Sequence, residues 1–239
     1  MSRKLPEPKV RFRCAQVRLR TLAALVGVAA AVPATGQESA EPVVRVEEDW
    51  QLVLNEPNYG ANSPQFHTLM SPGKDTESIY IQATWNYREL PAFQSGGLQL
   101  QGWFGDSCGI QRNPCTAQLS NSAETVTWTQ SLETDRSSKI VFSIMNGQST
   151  TWGMFGGDLH KITGYIRIPD LNAYSTSVSV QNSWITYGAN RVDSLVITQV
   201  RRYGPGGLIS VDTEPKVIYN LEQDQSVQAE IVEDAGFSF

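Results

Sequence analysis

From Ser78 to Tyr87 the chain sets Ile79, Ile81, Ala83, Trp85 and Tyr87 on one side and Tyr80, Gln82, Thr84 and Asn86 on the other. That period of two is what a strand with one buried face requires. The pattern recurs. Leu98, Leu100 and Phe104 alternate with Gln99, Gln101 and Trp103; Val126, Trp128 and Leu132 with Thr125, Thr127, Thr129 and Ser131; Ile140, Phe142 and Ile144 with Val141, Ser143 and Met145. Further strands are expected near Trp50 to Leu54, Phe66 to Met70, Tyr165 to Ile168, Ser177 to Val180, Leu195 to Tyr203 and Val217 to Tyr219. Between them lie Ser71-Pro72-Gly73, Ser95-Gly96-Gly97, Asn146-Gly147, Phe155-Gly156-Gly157 and Gly204-Pro205-Gly206-Gly207, all of turn chemistry. No window of helix length carries an apolar helical stripe. The expectation is one all-β domain, an antiparallel two-sheet β-sandwich of jelly-roll type, with a barrel as the other closure.

The N-terminus reads differently. Arg3, Lys4, Lys9, Arg11, Arg13, Arg18 and Arg20 precede an apolar run from Leu22 to Val32, and Pro33-Ala34-Thr35-Gly36 comes next. Basic, then apolar, then small is the order of a secretory signal peptide, with cleavage expected between Gly36 and Gln37. The apolar run of 11 residues is too short to span a bilayer. Without a twin-arginine pair the route is Sec, to periplasm, cell surface or medium. The expected organisation is therefore a signal peptide 1–36, a polar leader 37–42, a β-sandwich domain 43–219 and an acidic C-terminal tail 220–239.

Removing residues 1–36 lowers Lys+Arg from 19 to 12 and Asp+Glu from 24 to 23, so the net charge moves from −5 to −11. Such a field repels nucleic acid and anionic membrane surfaces. It permits Ca²⁺ without supplying a motif for it, and no other cofactor is indicated. No transmembrane segment is expected in the mature chain. Cys14 falls in the removed segment, which leaves Cys108 and Cys115 to pair. Gly109 and Pro114 lie between them as turn formers, and closing so short a loop would contribute about 2.5 kcal/mol.

The strand-only pattern and the closing strand Asn190-Arg-Val-Asp-Ser-Leu-Val-Ile-Thr-Gln-Val-Arg-Arg-Tyr203 resemble the concanavalin A-like or laminin G-like jelly roll, in which a late strand pairs near the first. The segment Glu48-Asp-Trp-Gln-Leu-Val-Leu-Asn-Glu-Pro57 is similar to the opening of exported bacterial proteins. Both resemblances imply architecture and transfer no functional residue.

Chemical motifs are sparse. The paired-carboxylate strand of jelly-roll glycosidases is missing, and Glu47-Glu48-Asp49 reads as a solvated strand entrance. His67 and His160 are the only histidines. No Gly-x-Ser-x-Gly elbow accompanies them, and both read as surface or hydrogen-bonded structural residues. Trp85 and Trp128 share faces with aliphatic residues and belong to the core. Trp103 sits instead with Gln99 and Gln101, and Tyr80 and Gln82 extend that polar face. A flat indole among carboxamides resembles a sugar-stacking platform. The leading expectation is a non-enzymatic binding module for carbohydrate or another extracellular ligand, a protein included. The alternatives are a glycan-active hydrolase or lyase on the same fold, a structural cell-surface component, or a small outer-membrane barrel closing on Phe237 and Phe239.

Overall fold

The computed structural model describes residues 41–55, 66–74, 78–87, 97–104, 107–112, 115, 117–119, 122–179 and 191–220. Every described residue belongs to one compact unit, residues 39–239. The expected signal segment, most of the leader and all but the first residue of the expected tail lie outside the described residues.

Thirteen strands are found among the described residues: β1 (Arg45–Leu54), β2 (Phe66–Ser71), β3 (Ile79–Tyr87), β4 (Gly97–Phe104), β5 (Ser107–Arg112), β6 (Glu124–Thr134), β7 (Ile140–Ser149), β8 (Gly153–Phe155), β9 (Lys161–Gly164), β10 (Ser175–Ser179), β11 (Val192–Gly204), β12 (Gly207–Asp212) and β13 (Lys216–Asn220). They form two antiparallel sheets. The larger runs β12-β11-β1-β6-β7-β8, with β13 also on β11 and β9 also on β7; the smaller runs β10-β2-β3-β4-β5. The result is an all-β, two-sheet sandwich, and the late strand β11 lies beside the first, Leu52 opposite Leu195. No helix among the described residues is long and apolar enough to cross a membrane.

Alternation decides which faces meet. Val46, Trp50, Leu52 and Leu54 of β1, Val126, Trp128 and Leu132 of β6, and Ile140, Phe142 and Ile144 of β7 point inward from the larger sheet. Phe66, Met70, Ile81, Ala83, Trp85, Leu98 and Leu100 answer from the smaller one. Trp50 stacks on Trp128 at 5.7 Å, and Trp85 meets Trp128 from the opposite sheet at 4.1 Å. Three indoles thus join the layers, each carrying a large apolar area out of water.

Several boundaries depart from expectation. Asn146-Gly147 does not turn the chain but lies inside β7. Asn146 takes φ 52°, β6 and β7 shift register there, and the pair makes a bulge. The stretch Tyr165 to Ile168 is not a strand: β9 ends at Gly164, and the carbonyl of Ile168 accepts the Thr134 hydroxyl at 2.6 Å. β5 and β12 escape sequence reading because neither has a clean apolar face. In the edge strands β12 and β13, Leu208, Ile209, Val211, Val217 and Ile218 are exposed.

The expected Cys108–Cys115 bridge is not made. Cys108 sits opposite Trp103, whereas the carbonyl of Cys115 accepts the amide of Leu98. Trp103 and Leu98 are five residues apart on one strand, which separates the two cysteines by roughly 16 Å. A disulfide needs Cα atoms within about 7 Å. The Gly-Ile-Gln-Arg segment that read as a turn runs extended in β5, and Cys115 is buried in the core.

Candidate polar face of the smaller sheet

The outward face of the smaller sheet is built by three strands in register. Thr84 lies between His67 on β2 and Gln99 on β4; Gln82 lies between Leu69 and Gln101; Tyr80 lies beside Trp103. All five residues of the expected platform, Tyr80, Gln82, Gln99, Gln101 and Trp103, therefore share one face, joined by His67 and Thr84. Only uncharged side chains and His67 project from β2, β3 and β4 on this side.

Most of the amides are spent on one another. Gln82 Nε2 donates to Gln101 Oε1 at 2.5 Å, and Gln101 Nε2 donates to Gln99 Oε1 at 2.7 Å. Gln99 is fully buried, and among the described residues its Nε2 has no hydrogen-bond partner. A buried carboxamide with one end bonded and the other orphaned is an unfilled donor, since such groups are nearly always paired. At the far end of the face, Trp103 stacks on Tyr80 at 6.0 Å, and its Nε1 is likewise buried with no partner among the described residues.

His67 is the titratable group of the face. Its Nδ1 lies 2.9 Å from Thr84 Oγ1, and Thr84 is fully buried. The hydroxyl also accepts a longer contact from Gln82 Nε2 at 3.4 Å. With Nδ1 engaged by Thr84, Nε2 is the ring nitrogen left for another partner. Burial lowers the His67 pKa from 6.5 to about 4, because a charged ring would lose its water. His67 is thus a neutral imidazole with a fixed tilt.

The carboxylates lie elsewhere, and the expected solvated entrance Glu47-Glu48-Asp49 is not solvated. Glu48 is fully buried between the sheets, accepting from Gln130 Nε2 at 2.6 Å, Trp50 Nε1 at 3.0 Å and the Tyr174 hydroxyl at 2.6 Å. Burial raises its pKa, against those donors. Glu47 and Asp49 face the other way, where Arg201 reaches both, at 3.0 and 2.5 Å. Glu124 accepts from Ser149, at 2.6 Å, and from Thr151, pinning the turn after β7. His160 is buried with Nε2 3.6 Å from Cys115 Sγ; burial lowers the imidazole's pKa and pushes the thiol's up to about 12, so neither is charged. Among the described residues no group of three or more His, Cys, Asp and Glu is placed to hold a metal ion.

No family model matches the chain, and no curated protein matches it. Among solved structures it is similar to scytalido-glutamic peptidase with a transition-state analog inhibitor, at 10% identity over 75% of this chain and 84% of that one, TM-score 0.40. The same peptidase with a peptide-based transition-state analog gives 11% identity over 75% and 84%, TM-score 0.36. SCP-B, a member of the Eqolisin family of peptidases in complex with the tripeptide Ala-Ile-His, gives 9% over 75% and 84%, TM-score 0.35. The likeness is one of overall fold and assigns no residue a role.

The expectation of a carbohydrate module is corrected by the platform itself, which lacks an open surface: the Trp103 ring is half-buried against Tyr80, Gln99 is sealed, and Gln82 and Gln101 bond each other in place of a ligand's hydroxyls.

Proposed function

We propose that the chain is a hydrolase of neutral, carbonyl-bearing polymers, peptides first among them, and that it works on the outward face of the smaller sheet. The observation that carries this reading is a neutral His67, held by Thr84, on a face without charge. His67 Nε2 takes a proton from water and the hydroxide adds to the carbonyl carbon. The imidazolium so formed is a strong acid, because its pKa is lowered. It returns the proton to the departing amine, and the C–N bond breaks. Lack of charge on β2, β3 and β4 favours a neutral substrate.

The signal-like order of residues 1–36 supports export by Sec, to periplasm, surface or medium, with 43–219 as the working domain. The neighbourhood of β11 and β1 supports the concanavalin A-like jelly-roll resemblance at the level of topology alone.

The test is incubation of the purified protein with a mixed peptide library between pH 3 and 8, new termini being read by mass spectrometry. Cleavage is expected to rise through a limb near pH 4 and then level off. His67→Gln should lower the rate by about a hundredfold or more with the melting temperature kept. A wild-type protein that cleaves nothing over the whole range sinks the reading.

A further inference from the structure

The hydrolytic step needs a bare Nε2 on His67, and a neutral imidazole carries its one proton on either nitrogen. Which nitrogen holds it is decided by the group at Nδ1. That group is the Thr84 hydroxyl, fully buried, whose hydrogen-bond neighbours among the described residues are His67 Nδ1 at 2.9 Å and Gln82 Nε2 at 3.4 Å. An amide N–H only donates, so Thr84 accepts from Gln82. Its own proton then goes to Nδ1, because a buried hydroxyl left without an acceptor is costly. With Nδ1 accepting, the ring proton sits on Nε2, where it blocks the base.

The direction at Thr84 is set further along the sheet. Gln82 Nε2 also donates to Gln101 Oε1, and Gln101 Nε2 to Gln99 Oε1; the line ends at Gln99 Nε2, buried with no partner among the described residues. Turning each carboxamide by half a turn exchanges its oxygen and nitrogen and reverses every bond in the line. Gln99 then donates to Gln101, Gln101 to Gln82, Thr84 to the Gln82 oxygen, and His67 Nδ1–H to Thr84. Both directions make the same bonds, and the second replaces an orphaned N–H by an orphaned carbonyl, the lesser cost. The two directions therefore lie close in energy.

We propose that Gln82 and Thr84 are positioning residues for His67, and that the line Gln99–Gln101–Gln82–Thr84 is a switch whose direction selects the resting or the basic tautomer of the ring. Reversal moves one ring proton from Nε2 to Nδ1 by exchange with water, and the ring is neutral before and after. Thr84 and Gln82 act through His67 alone; the ring is only half-buried, and it is the ring that meets the water. This role rests on the proposed hydrolytic reading, but the tautomer is readable without any substrate.

Nitrogen NMR of the full chain carrying isotope-labelled histidine tests it at pH 8, where His67 is neutral. A bare ring nitrogen resonates far downfield of a protonated one, and the His67 signals are those lost in His67→Gln. Wild type should show mainly Nε2–H. Gln82→Glu offers Thr84 acceptors only, so the hydroxyl turns to the new carboxylate and the ring should invert to Nδ1–H. Thr84→Val, similar in shape without the hydroxyl, should show both tautomers, and Thr84→Ser should restore the wild-type ratio. On the peptide that wild type cleaves best, kcat of Gln82→Glu should rise by the factor by which Nε2–H outnumbers Nδ1–H in the wild-type spectrum. A wild-type ring already bare at Nε2, or a Gln82→Glu ring that keeps the wild-type tautomer, overturns the switch whatever the protein cleaves. Inversion with kcat unchanged overturns its part in the reaction. Inversion in a protein that cleaves nothing upholds the switch and rejects the hydrolase.

Discussion

Glu48 and His67 are two ionisable side chains whose charged forms the fold disfavours, and they act on stability in opposite directions. The pKa of Glu48 is raised above 4.5, so the folded state holds a proton that the unfolded chain releases. Stability is therefore lost as pH rises past that value. For His67, lowered from 6.5 to about 4, the unfolded chain binds the extra proton, and stability is lost as pH falls from 6.5 toward 4. That loss amounts to at most about 3 kcal/mol, less whatever water reaches the half-buried ring. Thermal unfolding across pH should show a maximum on the mildly acid side of neutrality. Glu48→Gln keeps three partners, since its amide donates to Tyr174 and its oxygen accepts from Trp50 and Gln130; it should raise the melting temperature at pH 8 and change it little at pH 4. A drop at both values would mean that the carboxyl is worth more than its burial costs. The signal for Glu48 was present in the sequence: it stands two residues from Val46 and two from Trp50, in phase with the core. Its charged neighbours hid that phase. Gln99 and Trp103 were legible as one polar face, but His67 was not, because its place beside Thr84 depends on pairing two strands.

Asn146-Gly147 shows how an element can be misread while its chemistry is read correctly. An asparagine at φ 52° before a glycine is what a hairpin turn requires, and it is equally what a bulge requires. The two differ in where the chain goes next. Here Phe155 folds back over Gly147, so closely that a Cβ on the glycine would overlap its ring. Asn146→Val should cost about 1–2 kcal/mol, the penalty of a β-branched residue at positive φ, whereas Asn146→Gly should cost little. Chemical denaturation of both variants separates the cases, and equal losses would mean the asparagine side chain, not its backbone, carries the bulge. Strands β1 to β4, β6, β7 and β11 were legible because one face of each is apolar. Strand β5, by contrast, is held by its register with β4 and by little else in its own sequence.

Across the whole molecule the sheets are joined by indoles, and the alternation that revealed the strands also placed Trp85 and Trp128 in the core. Trp85→Ala should cost about 3–5 kcal/mol of unfolding free energy, measured by denaturant titration, against a much smaller loss for Trp103→Phe on the outward face. A Trp85 variant as stable as wild type would mean that the two layers are held by their rims. What no single strand discloses is the mismatch between the layers, eight strands over five. The larger sheet ends in β12 and β13, whose Leu208, Ile209, Val211, Val217 and Ile218 lie at the surface. Between those two strands stand Pro215, which lacks an amide hydrogen, and the Asp212–Lys216 ion pair at 3.0 Å. Such residues discourage a foreign strand from docking along an edge. The rim is thus a colloidal hazard held in check by three side chains. Replacing Pro215 and Lys216 together by valine should turn a clear concentrated solution turbid within the time of a light-scattering run, with no change in the core that keeps each molecule folded.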